Sequence, residues 1–169
     1  MNVDRDKIIS ELRKTYEIMW PMSRTLLETE GHLTPVLFAL TPRGMQIVGL
    51  AFDSYETKRI AYLEIGRKLR QEIEAYGAVL INECWFVDEL TDEEKRRVRE
   101  TRTVETMPKD HPKRKEGVSI LLATYGWTEY HLHPFTRDGK TIAWEPEKPP
   151  LPGEKISNEI FPAFDEGVH

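Results

Sequence analysis

Two histidines stand one residue apart in the string His131-Leu132-His133-Pro134. The run around them has the alternation of a β-strand, which sends both imidazoles to one face. Glu129 shares that face. A carboxylate and two neutral imidazoles at this spacing can supply three ligands to zinc or a similar divalent ion and leave a position for water, the arrangement of a metal-dependent hydrolase. The plainer reading of the same pattern buries Tyr130 and Leu132 and leaves Glu129, His131 and His133 facing water. Glu83, between Ile81 and Trp85 on another apolar run, is a second candidate. A carboxylate there could act as a general acid, pair with an arginine or sit at a sheet edge. Cys84 points to the opposite face and reads as a small core residue. The chain contains no Gly-x-Ser-x-Gly elbow, P-loop or dinucleotide fingerprint.

Charge gives a different kind of candidate. The chain of 169 residues has a net charge of −5, from 24 basic and 29 acidic side chains. Nine of the basic residues but only three of the acidic ones fall within 95–115, so that segment is +6 and the remainder −11. An acidic body with one basic segment points to an acidic protein partner docked on Arg96, Arg97, Arg99, Lys113 and Arg114, and disfavours nucleic acid elsewhere on the surface. The alternative is that the basic segment folds back on the chain's own carboxylates.

Size and composition suit one globular domain, with 39% hydrophobic and 31% charged residues. No apolar run approaches the roughly 18–20 residues that span a bilayer, so no membrane association is expected. The charged N-terminus lacks a signal-peptide core, and the lone cysteine permits no internal disulfide. A cytoplasmic location is the expectation.

The elements that must position these residues follow from periodicity. Asp4 caps a helix with Ile8, Leu12, Tyr16 and Met19 on its apolar side, and Trp20-Pro21 either kinks it or divides it from a second stretch ending at Gly31. Residues 33–40 and 45–52 form a hairpin about Thr41-Pro42-Arg43-Gly44, and apolar residues on both faces suggest that both strands are central. Asp53-Ser54-Tyr55-Glu56 offers a capping box for a long helix reaching about Tyr76, with Gly77 as its stop. Residues 78–87 are the clearest strand. A charged, mobile insertion occupies 88–117, with Thr91 to Glu94 able to start a short helix. Strands at 118–125, 127–135 and 141–145 follow, joined by turns at Gly126 and Asp138-Gly139. The order α-β-β-α-β-insertion-β-β-β predicts an α+β fold, a mostly antiparallel sheet of about five to six strands with helices packed on one face. The domain spans 1–145, and 146–169 is a proline-rich tail.

The string His-Leu-His-Pro resembles the histidine core of the JAMM (MPN) metalloproteases, in which an upstream glutamate acts as base, a role Glu83 would take. That family also needs a serine and an aspartate after the histidines. Here Gly139-Lys140-Thr141-Ile142-Ala143-Trp144 follows, with only Asp138 nearby, so the resemblance stops at five residues. The double-histidine strand of cupins is a weaker likeness, because the helices do not suit a jelly roll. Over residues 5–145, "HLTPVLFALTPRG", "INECWFVDE", "DHPKRKEGV" and "RDGK" are similar to uncharacterised small proteins encoded by bacteria and their phages. That resemblance implies a small single-domain protein and supplies no activity. The expected function is therefore an accessory or binding protein without a cofactor. The alternative is a small hydrolase using a divalent metal held by His131, His133 and a carboxylate.

Overall fold

A helix, α1 (Arg5–Glu30), and six strands account for most of the described backbone: β1 (Val36–Thr41), β2 (Gly44–Gly49), β3 (Gly77–Phe86), β4 (Lys115–Thr124), β5 (Trp127–Asp138) and β6 (Thr141–Trp144). The structure is a computed structural model that describes residues 4–51, 64–69, 71–88, 91–94, 96 and 111–148. All neighbouring strands are antiparallel, in the order β2-β1-β3-β4-β5-β6. The expected α+β class is the observed one.

α1 runs unbroken through Pro21. An interior proline costs about 3 kcal/mol, because it removes one hydrogen bond and crowds the preceding turn. Here its ring is exposed, and Leu12 before it and Leu27 after it are fully buried. At about 1.5–3 kcal/mol per buried side chain, these two anchors match that cost and hold both halves on one sheet. The Asp4 carboxylate accepts from the Asp6 amide at the N-terminus, and Gly31, at φ 78°, closes the C-terminus by donating to the Leu27 carbonyl at 2.9 Å. At the start of β3 the helix comes so close that a Cβ on Gly77 would lie 3.2 Å from Ile8 Cγ2 and 3.3 Å from Leu12 Cδ2. Gly77 is thus a strand residue where helix and sheet touch, and the helix expected to reach Tyr76 ends at residue 71.

Alternation divides the core into two layers. Phe38, Leu40, Val79, Ile81, Val118, Ile120, Leu122 and Phe135 face α1 together with Ile8, Leu12 and Leu27. Leu37, Ala39, Ala78, Leu80, Leu121 and Ala123 point the other way, onto Leu69 of the helical residues 64–69. The helices therefore cover both faces, where one covered face was expected. The double-sided apolar pattern of β1 is explained by this, and that of β2 is not: β2 is an edge strand with Met45 and Ile47 exposed. The expected capping box at 53–56 lies outside the described residues. The one at Thr91 is present, with the Thr91 amide donating to Glu94 at 2.7 Å and the Glu94 amide to Thr91 Oγ1 at 3.2 Å.

Leu69 is 1% exposed and central to the second layer. Leu69→Ala should lower unfolding free energy by about 2–5 kcal/mol in denaturant titration. A loss under about 1 kcal/mol would show that this layer contributes little.

Candidate functional site

Four residues of a helix rise about 6 Å, and two residues of a strand about 6.6–6.8 Å. Side chains at i and i+4 of a helix can therefore stack on those at i and i+2 of a strand running alongside. α1 and β5 use this match. The Tyr16 ring stacks on His131 at 4.2 Å between centroids and 18° between planes, and Trp20 stacks on His133 at 3.8 Å and 13°. The two imidazoles are 6.5 Å apart. Trp144 of β6 meets Trp20 edge-on at 5.2 Å and Phe135 at 5.4 Å, which extends the cluster across the sheet. Arg13 and Arg24 bracket the row, lying over the rings of Trp127 at 5.6 Å and Trp144 at 5.1 Å.

The histidines are therefore roofed by α1 rather than turned to water, with His131 9% and His133 6% exposed. This overturns the plain reading of the strand: the face expected in solvent is the one beneath the helix. Burial requires polar partners, and they are present. His131 Nε2 lies 2.9 Å from Glu129 Oε1 and Nδ1 2.8 Å from Glu147 Oε1, so each ring nitrogen meets a carboxylate. Glu129 in turn accepts from Arg13, at 2.6 Å from Nη2 and 3.1 Å from Nε. Burial disfavours the Glu129 carboxylate more than any other single influence, yet Arg13 and His131 together outweigh it and hold the group below its usual range. His133 is different. Burial pushes its pKa down to about 4; Glu147 opposes this in part, while His131 and Arg24 add to it. Its Nε2 is 3.1 Å from Tyr16 Oη, and with the ring neutral the hydroxyl can donate to it. Burial, with Glu147, Glu129 and Glu17, raises the Tyr16 phenol to about 12.

Glu83 faces the same side but belongs to another cluster. It accepts from the Leu33 amide and from Arg137 Nη2 at 3.1 Å. Arg137 also donates to Glu116 at 3.2 Å and to the Gly31 carbonyl. One guanidinium thereby ties β3, β4 and the end of α1 together, the arginine-paired role among those open to Glu83. Glu147, Arg13 and Arg137 were not singled out by sequence. Glu147 reaches His131 because residues 145–148 return along β5, with the Lys148 amide donating to the Leu132 carbonyl at 3.0 Å. Only the tyrosine and tryptophan four residues apart in α1 carried a local signal.

Of the basic candidates, Arg96 pairs with Glu93 at 3.3 Å, and Arg114 lies over the Trp85 ring at 5.2 Å. Lys113 is exposed beside it. Arg97 and Arg99 lie outside the described residues, as does most of the segment expected to be mobile. Lys115 pairs with Asp88 at 2.8 Å.

Among the described residues no group of three or more His, Cys, Asp or Glu side chains is arranged to hold a metal ion, and no helix is long and apolar enough to cross a membrane. A depression of about 470 Å³ along α1 is lined by Asp6, Ile9, Ser10, Arg13, Lys14 and Glu17, and by neither histidine. No family model, curated protein or solved structure matches this chain.

The depressed pKa of His133 sets a pH dependence. Between its ordinary value of 6.5 and about 4, the unfolded chain binds a proton that the buried ring refuses. Stability is therefore full above 6.5 and falls as pH drops through this window. Glu129, held below 4.5, adds its own loss only at lower pH. Thermal melts should show the decline from pH 6.5 to 4.5, and His133→Gln should flatten it. An unchanged slope in that variant would contradict the assignment.

Proposed function

We propose that this chain is a small accessory protein that binds an acidic protein partner rather than catalysing a reaction. The observation that carries this reading is Trp85, 42% exposed on the α1 side of β3, with the Arg114 guanidinium 5.2 Å above its ring. Tryptophan and arginine are the residues over-represented where binding energy concentrates in protein interfaces. This pair stands at the end of the basic segment, beside Lys113, on a chain whose remainder is acidic. A basic patch carrying an exposed ring favours carboxylate-rich protein, while the surrounding negative charge repels a nucleic-acid backbone. The two histidines support the same reading from the other side, since their neighbours are the groups that fasten α1 to β5. The resemblance to small bacterial and phage-encoded proteins fits a small single-domain protein of the cytoplasm and is neutral as to its activity.

A photo-reactive residue in place of Lys113, in cells producing the chain, should give an adduct with one discrete acidic protein. Trp85→Ala combined with Arg114→Glu should abolish it, and a photo-reactive residue at Lys140, in the β5–β6 turn, should not give it. An adduct that survives the double substitution, or appears equally from position 140, would contradict the reading.

A further inference from the structure

The outer edge of the sheet has a composition that favours a second copy of the same chain. β2 has no neighbour on its outer side among the described residues. Its register with β1 pairs Thr41 with Gly44, Ala39 with Gln46 and Leu37 with Val48, and the Leu50 amide donates to the Pro35 carbonyl at 2.9 Å. That bond fixes the phase of the antiparallel alternation. Residues 44, 46, 48 and 50 bond inward to β1, so Met45, Ile47 and Gly49 turn their N–H and C=O groups outward. The same strand exposes the Met45 and Ile47 side chains, 45% and 63% accessible, on the face shared with Phe38 and Leu40.

Natural edge strands are usually guarded by charges, proline or a bulge. β2, Gly44-Met45-Gln46-Ile47-Val48-Gly49, has no ionisable side chain and no proline, and its register is regular throughout. We propose that this edge pairs with the β2 edge of a second copy, antiparallel, about a two-fold axis through Ile47.

The three outward residues are symmetric about Ile47, so this register satisfies all of them. Met45 exchanges both backbone bonds with Gly49 of the other copy, Ile47 with its own counterpart, and Gly49 with Met45. Side-chain fit follows the same symmetry. Ile47 meets Ile47, and Met45 lies beside Gly49, around which a side chain would meet nothing within 4 Å. This self-match, rather than charge, is what favours a copy of this chain over another uncharged strand. Two molecules of net charge −5 repel in general, and β2 is a stretch where close approach sets no like charges opposite each other. Such an isologous pairing uses up the edge on both copies and closes, so it yields a dimer rather than a fibre. A six-residue edge buries less than a standard interface of about 800 Å² per partner, so the dimer is expected to be weak.

Sedimentation velocity over a concentration series tests the pairing. Wild type should pass from monomer to dimer as concentration rises. Ile47→Lys sets two like charges directly opposite and should weaken dimerisation at least tenfold, as should Ile47→Glu. Mixing the two variants in equal amounts should restore the dimer as a heterodimer, which a folding defect could not produce. The register has its own readout. Cα atoms of a bonded antiparallel pair lie about 5.5 Å apart, within disulfide range. Ile47→Cys should therefore cross-link to itself on oxidation and Met45→Cys should not. A wild type that stays monomeric at every concentration, a dimer indifferent to Ile47→Lys, or failure of the mixed variants to associate would each overturn the proposal. So would an edge that captures an extended segment of a different protein in preference to itself.

Discussion

The α1 face of the structure depends on how one helix is seated on the sheet, with Ile8, Leu12 and Leu27 packed among residues of β1, β3 and β4 and two rings stacked along β5. Because four residues of α1 and two of β5 advance by nearly the same length, Tyr16 and Trp20 can sit flat on His131 and His133 at once. A slide of the helix by one residue would rotate these rings about 100° away from the sheet. The stacked pair, with the Leu12 and Leu27 anchors, therefore selects one rotation and one axial position of α1. Everything else on that face follows from this placement. Ile8 and Leu12 descend onto Gly77, Arg13 reaches Glu129, and Arg24 and Glu28 meet Trp144.

Burying imidazoles under a helix creates a polar problem that the surroundings resolve in two ways. His131 is held between two carboxylates, one of which is anchored by Arg13. His133 is desolvated, stays neutral and takes the Tyr16 hydroxyl as partner. A polar network satisfied in this manner specifies one geometry more sharply than an all-apolar contact would. At the far end of the helix Arg137 performs a comparable service, joining Glu83, Glu116 and the Gly31 carbonyl. His131, His133 and Glu83, residue types that suggest hydrolytic chemistry in isolation, each make contacts that join elements of this fold. Among the described residues, the exposed Trp85–Arg114 pair and the β2 edge are the features on which the proposed recognition rests.

Much of the scaffold was legible in the sequence, because it is encoded locally. The turns at Pro42-Arg43, Gly126 and Gly139 join the strands expected around them, and the alternation along β3 correctly separated Val79 and Ile81 from Leu80 and Asn82. Alternation also placed both histidines on one side of β5. It could not tell which side the helix would cover, since that is decided by contacts more than 100 residues apart, such as Tyr16 with His133 and Arg13 with Glu129. The same limit applies to β2, whose apolar residues read as central when they are exposed at an edge. Glu147 was hidden for another reason. It follows β6 in a proline-rich stretch, and only the return of residues 145–148 beside β5 brings it to His131.

A double-mutant cycle between Trp20 and His133 tests most directly whether the stacked register holds the helix in place. With Trp20→Leu, His133→Leu and the pair compared by denaturant unfolding, stacking in the folded state gives a coupling of about 0.5–1.5 kcal/mol. Additive losses, with a coupling indistinguishable from zero, would mean that the rings are adjacent without interacting and that α1 is positioned by something else.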